Sequence, residues 1–598
     1  MDSPKDATSE RAERVVEKTH IDGTVDFVSA DVLGGDVENL PAGYFRSPQF
    51  IGTVVATCTA SICAYLSWVM PANTLSLIDA DLGPSNDIGW VGTAYLLGNG
   101  IGFLLVGRLS DIFGRRWMVL ACNSLSIVGC VLGAAAPSVG ALIAATLLNG
   151  FAAAGQLSHQ VILGELVPNR LRGPIVTLVF LSSLPFAVFG PAIARLFILN
   201  TSSGQKGSRV GGWRWSFYLG IIFSVVTVAL YAVFYHPPRY EQLHVRGRTK
   251  WQQVRALDFG GLFLFCAGMT LFLVGLSWGG TTYPWRSAPV LATLIIGIVV
   301  LVAFGFYEQY VAGARDGGGH GRGGGGGSSS AIMPPRIFRN VEYVAIVMIA
   351  ALSAMVYFSM TVLWPTLITH VFGASVMDVG WQSSVVGGGV LLGQTIGGLT
   401  ISCGFGVRRG VYREPGGRRR ARGHTGVIVL GIFATVAVGI VDNIAFPGVT
   451  LLFDACDIGL AAGALASIRS MGGAVAQALY VSVLNTRLAG HLAADVGPAA
   501  IRAGLPETSL SALFAAIKVD DFSEVPGATR EVVDVVEAVV RDSYVASFKV
   551  VFYATIPFGV LLVAFACLVP DMDKYLTGNV ARRLQNKDAE RGTPSNSD

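Results

Sequence analysis

The stretch Gly107-Arg108-Leu109-Ser110-Asp111-Ile112-Phe113-Gly114-Arg115-Arg116 decides the fold. It is a short basic loop between two apolar runs, at about 88–107 and 117–136. Each run is long enough to cross a bilayer core as a helix, which takes about 20 residues. Gly107 and Gly114 permit a tight turn and a close helix approach. Asp111 brings an acceptor among Arg108, Arg115 and Arg116, so the group can latch two helices together at one face of a membrane.

The same alternation of apolar run and short loop extends outward in both directions. Further runs lie at about 50–70, 140–163, 174–198, 217–235, 259–278, 288–310, 341–363, 380–403, 425–445, 460–484 and 548–570. Thirteen spans are therefore expected, and the fold class is an all-α polytopic membrane protein. Composition agrees. Of 598 residues, 52% are hydrophobic and 14% charged, where a soluble chain carries about a quarter charged. The net charge of +4 is spread over short loops, which sets orientation and makes no nucleic-acid site. The eight cysteines show no CxxC or Cys/His spacing, so no metal site is expected. No P-loop, nucleotide fingerprint or nucleophile–base motif appears, so neither an enzyme nor a cofactor is expected.

Lys and Arg content sorts the loops. Arg108, Arg115, Arg116, Arg170, Arg172, Arg239, Arg246, Arg336, Arg339 and the arginines between 408 and 422 all fall on one set of alternate loops. That set reads as cytoplasmic, with both termini on its side. Five regions follow: a disordered cytoplasmic tail at 1–45, a six-helix bundle at 46–236, two extra spans with a Gly-rich loop at 237–340, a second bundle at 341–572 with an outer loop at 486–546, and a cytoplasmic tail at 573–598. Asn200-Thr201-Ser202 is a glycosylation sequon and falls on the outer side.

The loop at 107–116 matches the G-x-L-[SA]-D-x-x-G-R-R pattern of the major facilitator superfamily, which the chain resembles. Gly211-Gly212-Trp213-Arg214-Trp215-Ser216-Phe217-Tyr218, Gly164-Glu165-Leu166-Val167-Pro168, Ile332-Met333-Pro334-Pro335-Arg336-Ile337-Phe338 and Ser467-Ile468-Arg469-Ser470-Met471-Gly472-Gly473 are similar to the fungal trichothecene efflux pump family. That family also contains siderophore–iron transporters. The resemblance implies two six-helix bundles, two extra central spans, a central site and alternating access. It implies a small-molecule substrate and protons as partners, a plasma, vacuolar or endosomal membrane, and a monomer. Two departures stand out. Thr146 replaces the fourth-span Arg of drug antiporters, and their fifth-span motif survives only as Gly190-Pro191, with Ala194 and Arg195 in place of its final glycine pair.

Ionisable and amide groups inside spans are costly and so are functional candidates. His159 is placed to pass protons or to bond a neighbouring helix. Glu165, at the inner end of the fourth span, is a latch partner for Arg115 or Arg116. Arg469 either meets an anionic group or holds the second bundle through an ion pair. Asn99, Gln156 and Gln394 either line a cavity or bond between helices.

One count does not close. The charges of Arg487 to Asp542, five basic and nine acidic, place that segment outside, and the basic tail after Asp571 lies inside. Both require an even number of spans. The stretch from about 425 to 460 should hold two spans and has length for one. A re-entrant pair near Pro447, an inverted late topology, or loss of one span remain open. Three functions follow: proton-coupled export of a toxin or secondary metabolite, uptake of ferric siderophore, or a transport-inactive homologue or membrane sensor.

Overall fold

The computed structural model describes residues 15–19, 25–29, 33–36, 43–83, 85, 87–201, 211–237, 254–255, 257–280, 282–316, 332–402, 421–453, 457–519, 522, 525–569 and 579–582. Its helices are α1 (Pro48–Ala72), α2 (Leu75–Leu82), α3 (Gly89–Phe113), α4 (Arg115–Ala134), α5 (Val139–Gln156), α6 (His159–Leu166), α7 (Arg172–Ser182), α8 (Leu184–Ala187), α9 (Gly190–Asn200) and α10 (Arg214–Phe234). They continue as α11 (Phe259–Trp278), α12 (Ala288–Asp316), α13 (Val341–Phe372), α14 (Val376–Ser402), α15 (Ala421–Leu452), α16 (Ile458–His491), α17 (Gly497–Arg502), α18 (Leu510–Val519) and α19 (Arg530–Ala566). Among the described residues, 11 helices are long and apolar enough to cross a membrane, with α5 and α6 counted as one. In hydrocarbon a backbone must satisfy its own hydrogen bonds, which is why these runs are helical. The broken run α7–α9 and the 27-residue α14 lie where the sequence leads one to expect two further spans.

α1 and α3–α10 form the first bundle, and α13–α16 with α19 the second. The extra pair α11–α12 packs on itself and against α16, where Ser482 Oγ donates to the Gly279 carbonyl. Direction follows from the contacts. The end of α3 bearing Arg108 meets the start of α16 at Gly459 and Gly463. This end is called the basic face. α15 ends there too, because Arg172 Nη1 donates to Thr450 O at 2.7 Å. α14 starts at the opposite face, where Gly380 lies against Ala192 and Arg195.

α14 and α15 run parallel. Gly389 abuts Thr435, Gly393 abuts Val436 and Gly439, and Gly397 abuts Ile440. Both numbers rise together. So α14 ends at the basic face and α15 begins at the opposite one. This corrects the expected position of the missing span. The deficit is not at 425–460, which forms one helix through Pro447, but between Ser402 and Ala421. The apolar run at 425–460 has length for one span, and the sequence between Ser402 and Ala421 is Arg-rich.

Two more expectations change. The tail at 1–45, read as disordered, contains strands β1 (Val15–Thr19), β2 (Val25–Ser29) and β3 (Leu33–Asp36). β1 pairs antiparallel with β2. β3 pairs with β4 (Asn579–Arg582), Leu33 opposite Arg582. A partner more than 500 residues away is invisible to local composition. β4 also packs against α6. The outer loop expected at 486–546 is instead a helical cap. α17, α18 and the start of α19 enclose Val496, Ala500, Leu513, Val532 and Val536, all buried. The Arg-rich loop at 403–420 lies outside the described residues.

Candidate functional site

A cavity of about 70 Å³ lies between the bundles. α1 contributes Tyr65 and Trp68, α3 Tyr95 and Asn99, α13 Tyr357 and Phe358, α14 Gln394, α15 Asp442, and α16 Arg469. Trp68 stacks on Tyr95 with centroids 4.8 Å apart and meets Phe358 edge-on at 5.8 Å. These aromatics join the two bundles and present flat apolar walls. The cavity's polar floor is a buried ion pair. Arg469 Nη2 donates to Asp442 Oδ2 at 2.6 Å and Nε to Oδ1 at 3.1 Å. The guanidinium also lies over Phe358 and Phe446, 5.6 and 5.7 Å from their centroids. The fork geometry and the rings together offset the cost of burying two charges.

Asn99 Oδ1 and Gln394 Oε1 are buried and have no protein partner among the described residues. Unpaired buried acceptors cost about 1–3 kcal/mol each. Facing a cavity, they can take donors from water or substrate. Arg469, Gln394 and Asn99 are thus brought together as candidates. Gln156 is not among them: its Nε2 donates to Asn123 Oδ1 at 3.4 Å, inside the first bundle. His159 is also set apart. It is buried, and its ring meets Phe180 edge-on at 5.5 Å. Asp442 was missed as a site residue because its apolar surroundings made it an interruption; the same rule that singled out Arg469 applies to it.

A smaller void of about 30 Å³ leads from the cavity toward the basic face and shares Phe103, Leu157 and Gln160 with it. Its outer wall is the latch. Arg115 Nη2 donates to Glu165 Oε1 at 2.9 Å, both side chains buried. Arg115 Nη1 also donates to Ser110 Oγ. Gly114 makes the turn with φ +91, a conformation that favours glycine. At Gly107 an added Cβ would stand 2.8 Å from the Gly459 carbonyl, so only a glycine allows α3 and α16 this approach. Arg116 takes another role, donating to Ala232 O at 2.6 Å. The Asp111 side chain lies outside what the structure describes.

The opposite face is closed by Arg195. It is buried, and its Nη2 donates to Asn73 O at 2.8 Å, at the end of α1. Its Nη1 donates to Val376 O at 3.5 Å, at the start of α14 in the other bundle. Gly190 and Pro191, the motif remnant, begin α9 after breaks at Ser183 and Phe189. Asn200 is exposed at the end of α9, on this same face. The cavity therefore lies between the Arg115–Glu165 latch at one face and the Arg195 bridge at the other.

Comparison with known proteins gives a consistent picture. The family model described as the fungal trichothecene efflux pump matches residues 15–409 and 418–595. The trichothecene efflux pump TRI12 of Fusarium sporotrichioides is 28% identical over 587 residues, covering 94% of this chain and 93% of that protein. Its namesake from Trichoderma arundinaceum is 27% identical, with 94% of each covered. Among solved structures, a bacterial homologue of the human lysosomal transporter Spinster, inward-facing and occupied, superposes with a TM-score of 0.50. It is 12% identical, covering 88% of this chain and 97% of that one, which shows the major facilitator fold.

Proposed function

The chain belongs to the fungal trichothecene efflux pump family, and from that premise we propose that it exports a toxin or secondary metabolite through the central cavity in exchange for protons. The observation that carries this reading is the cavity between the bundles, aromatic-walled and floored by Asp442–Arg469. At about 70 Å³ it is far below the roughly 300 Å³ or more of a small-molecule pocket. Loading therefore requires the bundles to part, which is alternating access. Parting of the Asp442–Arg469 pair frees the guanidinium and opens the floor. The positive loops support an orientation with both ends cytoplasmic and Asn200 outside, and the plasma membrane is the membrane we propose. The cavity is complete within one chain, which supports a monomer.

The test is expression in a strain lacking its own exporters and siderophore carriers. Resistance to a toxin panel that a protonophore abolishes is the expected result. Asp442→Asn should remove the protonophore sensitivity or the resistance itself. Accumulation of labelled ferric siderophore would replace export with uptake.

A second reading rests on a different observation. The parallel α14 and α15 leave the second bundle one crossing short of its six. A homologue that reaches the membrane and transports nothing would fit that deficit. Normal surface expression without activity in either assay is its signature.

A further inference from the structure

Away from the central cavity, the inserted pair carries two buried carboxylates. Asp258 precedes α11 and is 1% exposed; Glu308 lies on α12 and is 2% exposed. Asp258 Oδ1 is fully engaged. It accepts from Gly261 N at 2.8 Å as the N-cap of α11 and from the Tyr307 hydroxyl at 3.0 Å. Asp258 Oδ2 is buried and has no partner among the described residues. Glu308 accepts from the backbone of the segment leading into α13, from Ile332 N at 3.2 Å and Met333 N at 3.4 Å. The two carboxylates face one point. A Cβ placed on Gly261 would meet Asp258 Oδ2 and, at 2.9 Å, Glu308 Oε1. α3, which bears Arg108 in the first bundle, packs against α11. One spot thus joins the first bundle, the inserted pair and the lead-in of the second.

Two anionic carboxylates facing each other out of water repel strongly, and such pairs hold a proton between them. The helix N-terminus and the Tyr307 hydroxyl both favour Asp258 as the anion. We propose that Glu308 is a proton-binding site, its O–H donating to the orphaned Asp258 Oδ2, and that this proton relieves the repulsion between the two buried carboxylates. Release sends the proton to water and leaves two buried negative charges. Their repulsion strains the contact between the start of α11 and α12. The charged groups on the elements packed around the pair are Arg108 on α3, Asp457 at the start of α16, and Arg336, Arg339 and Glu342 before and at the start of α13. None of them supplies a proton to Asp258 Oδ2 in this arrangement.

The test uses the purified full-length chain and does not depend on transport, so it stands or fails separately from the export reading. Thermal stability is measured from mildly acidic to mildly alkaline pH. The protonated form is the one the fold favours, so wild type should lose stability as pH rises. Glu308→Gln supplies a permanent N–H donor to Asp258 and should flatten that profile. An unchanged slope in Glu308→Gln overturns the proposal. Added sodium or potassium that restores wild-type stability at alkaline pH, and not that of the variant, also overturns it in favour of a cation. Should Glu308→Gln fail to fold, Tyr307→Phe gives the second reading. Losing the donor to Asp258 should move the midpoint to higher pH, by about tenfold in proton affinity. An unmoved midpoint counts against the pair.

Discussion

Arg115 and Arg116 are adjacent in sequence and do different things. Arg115 is buried on Glu165 and Ser110, while Arg116 reaches the Ala232 carbonyl at the end of α10. The motif spacing made the first partnership legible, because a loop rich in Arg beside a buried carboxylate has few ways to satisfy it. Glu165→Ala leaves a buried guanidinium without its counter-charge and should cost about 3–5 kcal/mol. A lowered melting temperature with reduced turnover checks this; unchanged stability would mean the pair is solvated. Asp442 and Arg195 were harder to read. Asp442 stood in an apolar run and Arg195 looked like the loss of an antiporter glycine. In each case the partner comes from another span, Arg469 for the first and Asn73 with Val376 for the second. No local pattern encodes such pairs. Arg195→Ala removes the bridge between α1 and α14, so a cysteine at Val376 should react faster with an impermeant thiol reagent applied from that face. Equal rates in both backgrounds would show that other contacts hold the face shut.

The helices themselves were the most legible part, because a 20-residue apolar run has one stable form in a bilayer. The cap formed by α17, α18 and the start of α19 was not, since its apolar residues are spaced among acidic ones that signalled a loop. The pairings between helices were partly legible. Gly393 and Gly397, four residues apart on one face of α14, let it pack closely on α15. The same logic applies across the bundles at Gly107. Gly107→Ala places a methyl 2.8 Å from the Gly459 carbonyl, an overpacking that costs about 1–3 kcal/mol. The cost falls only on the arrangement closed at the basic face. The variant should therefore populate the form open to that face, seen as faster labelling of a cysteine at Ala462 with no loss of expression. Slower or equal labelling would place the gate elsewhere.

At the scale of the molecule, parity governs. β3 and β4 pair Leu33–Asp36 with Asn579–Arg582, which supports an even number of crossings. Among the described residues 11 helices are long and apolar enough to cross, while α14 ends at the basic face and α15 begins at the opposite one. Charge in the sequence had already demanded even parity; it could not say where the crossing was lost, because the direction of α15 is set by its contacts with α14 and α7 and not by its own residues. The link contains Arg408, Arg409, Arg413, Arg418, Arg419 and Arg420. Each arginine at the centre of a bilayer costs at least about 2.5 kcal/mol, so this stretch cannot replace an apolar helix without penalty. A sixth helix there would complete a bundle of the kind that rocks as a unit in alternating access. Restoring it should therefore raise transport. Inserting about 20 apolar residues between Ser402 and Ala421 should turn a weak or silent chain into one that confers toxin resistance, with its C-terminal tail still on the side of the N-terminus. Full transport by the chain without the insertion, at equal surface abundance, would show that the second bundle suffices without it.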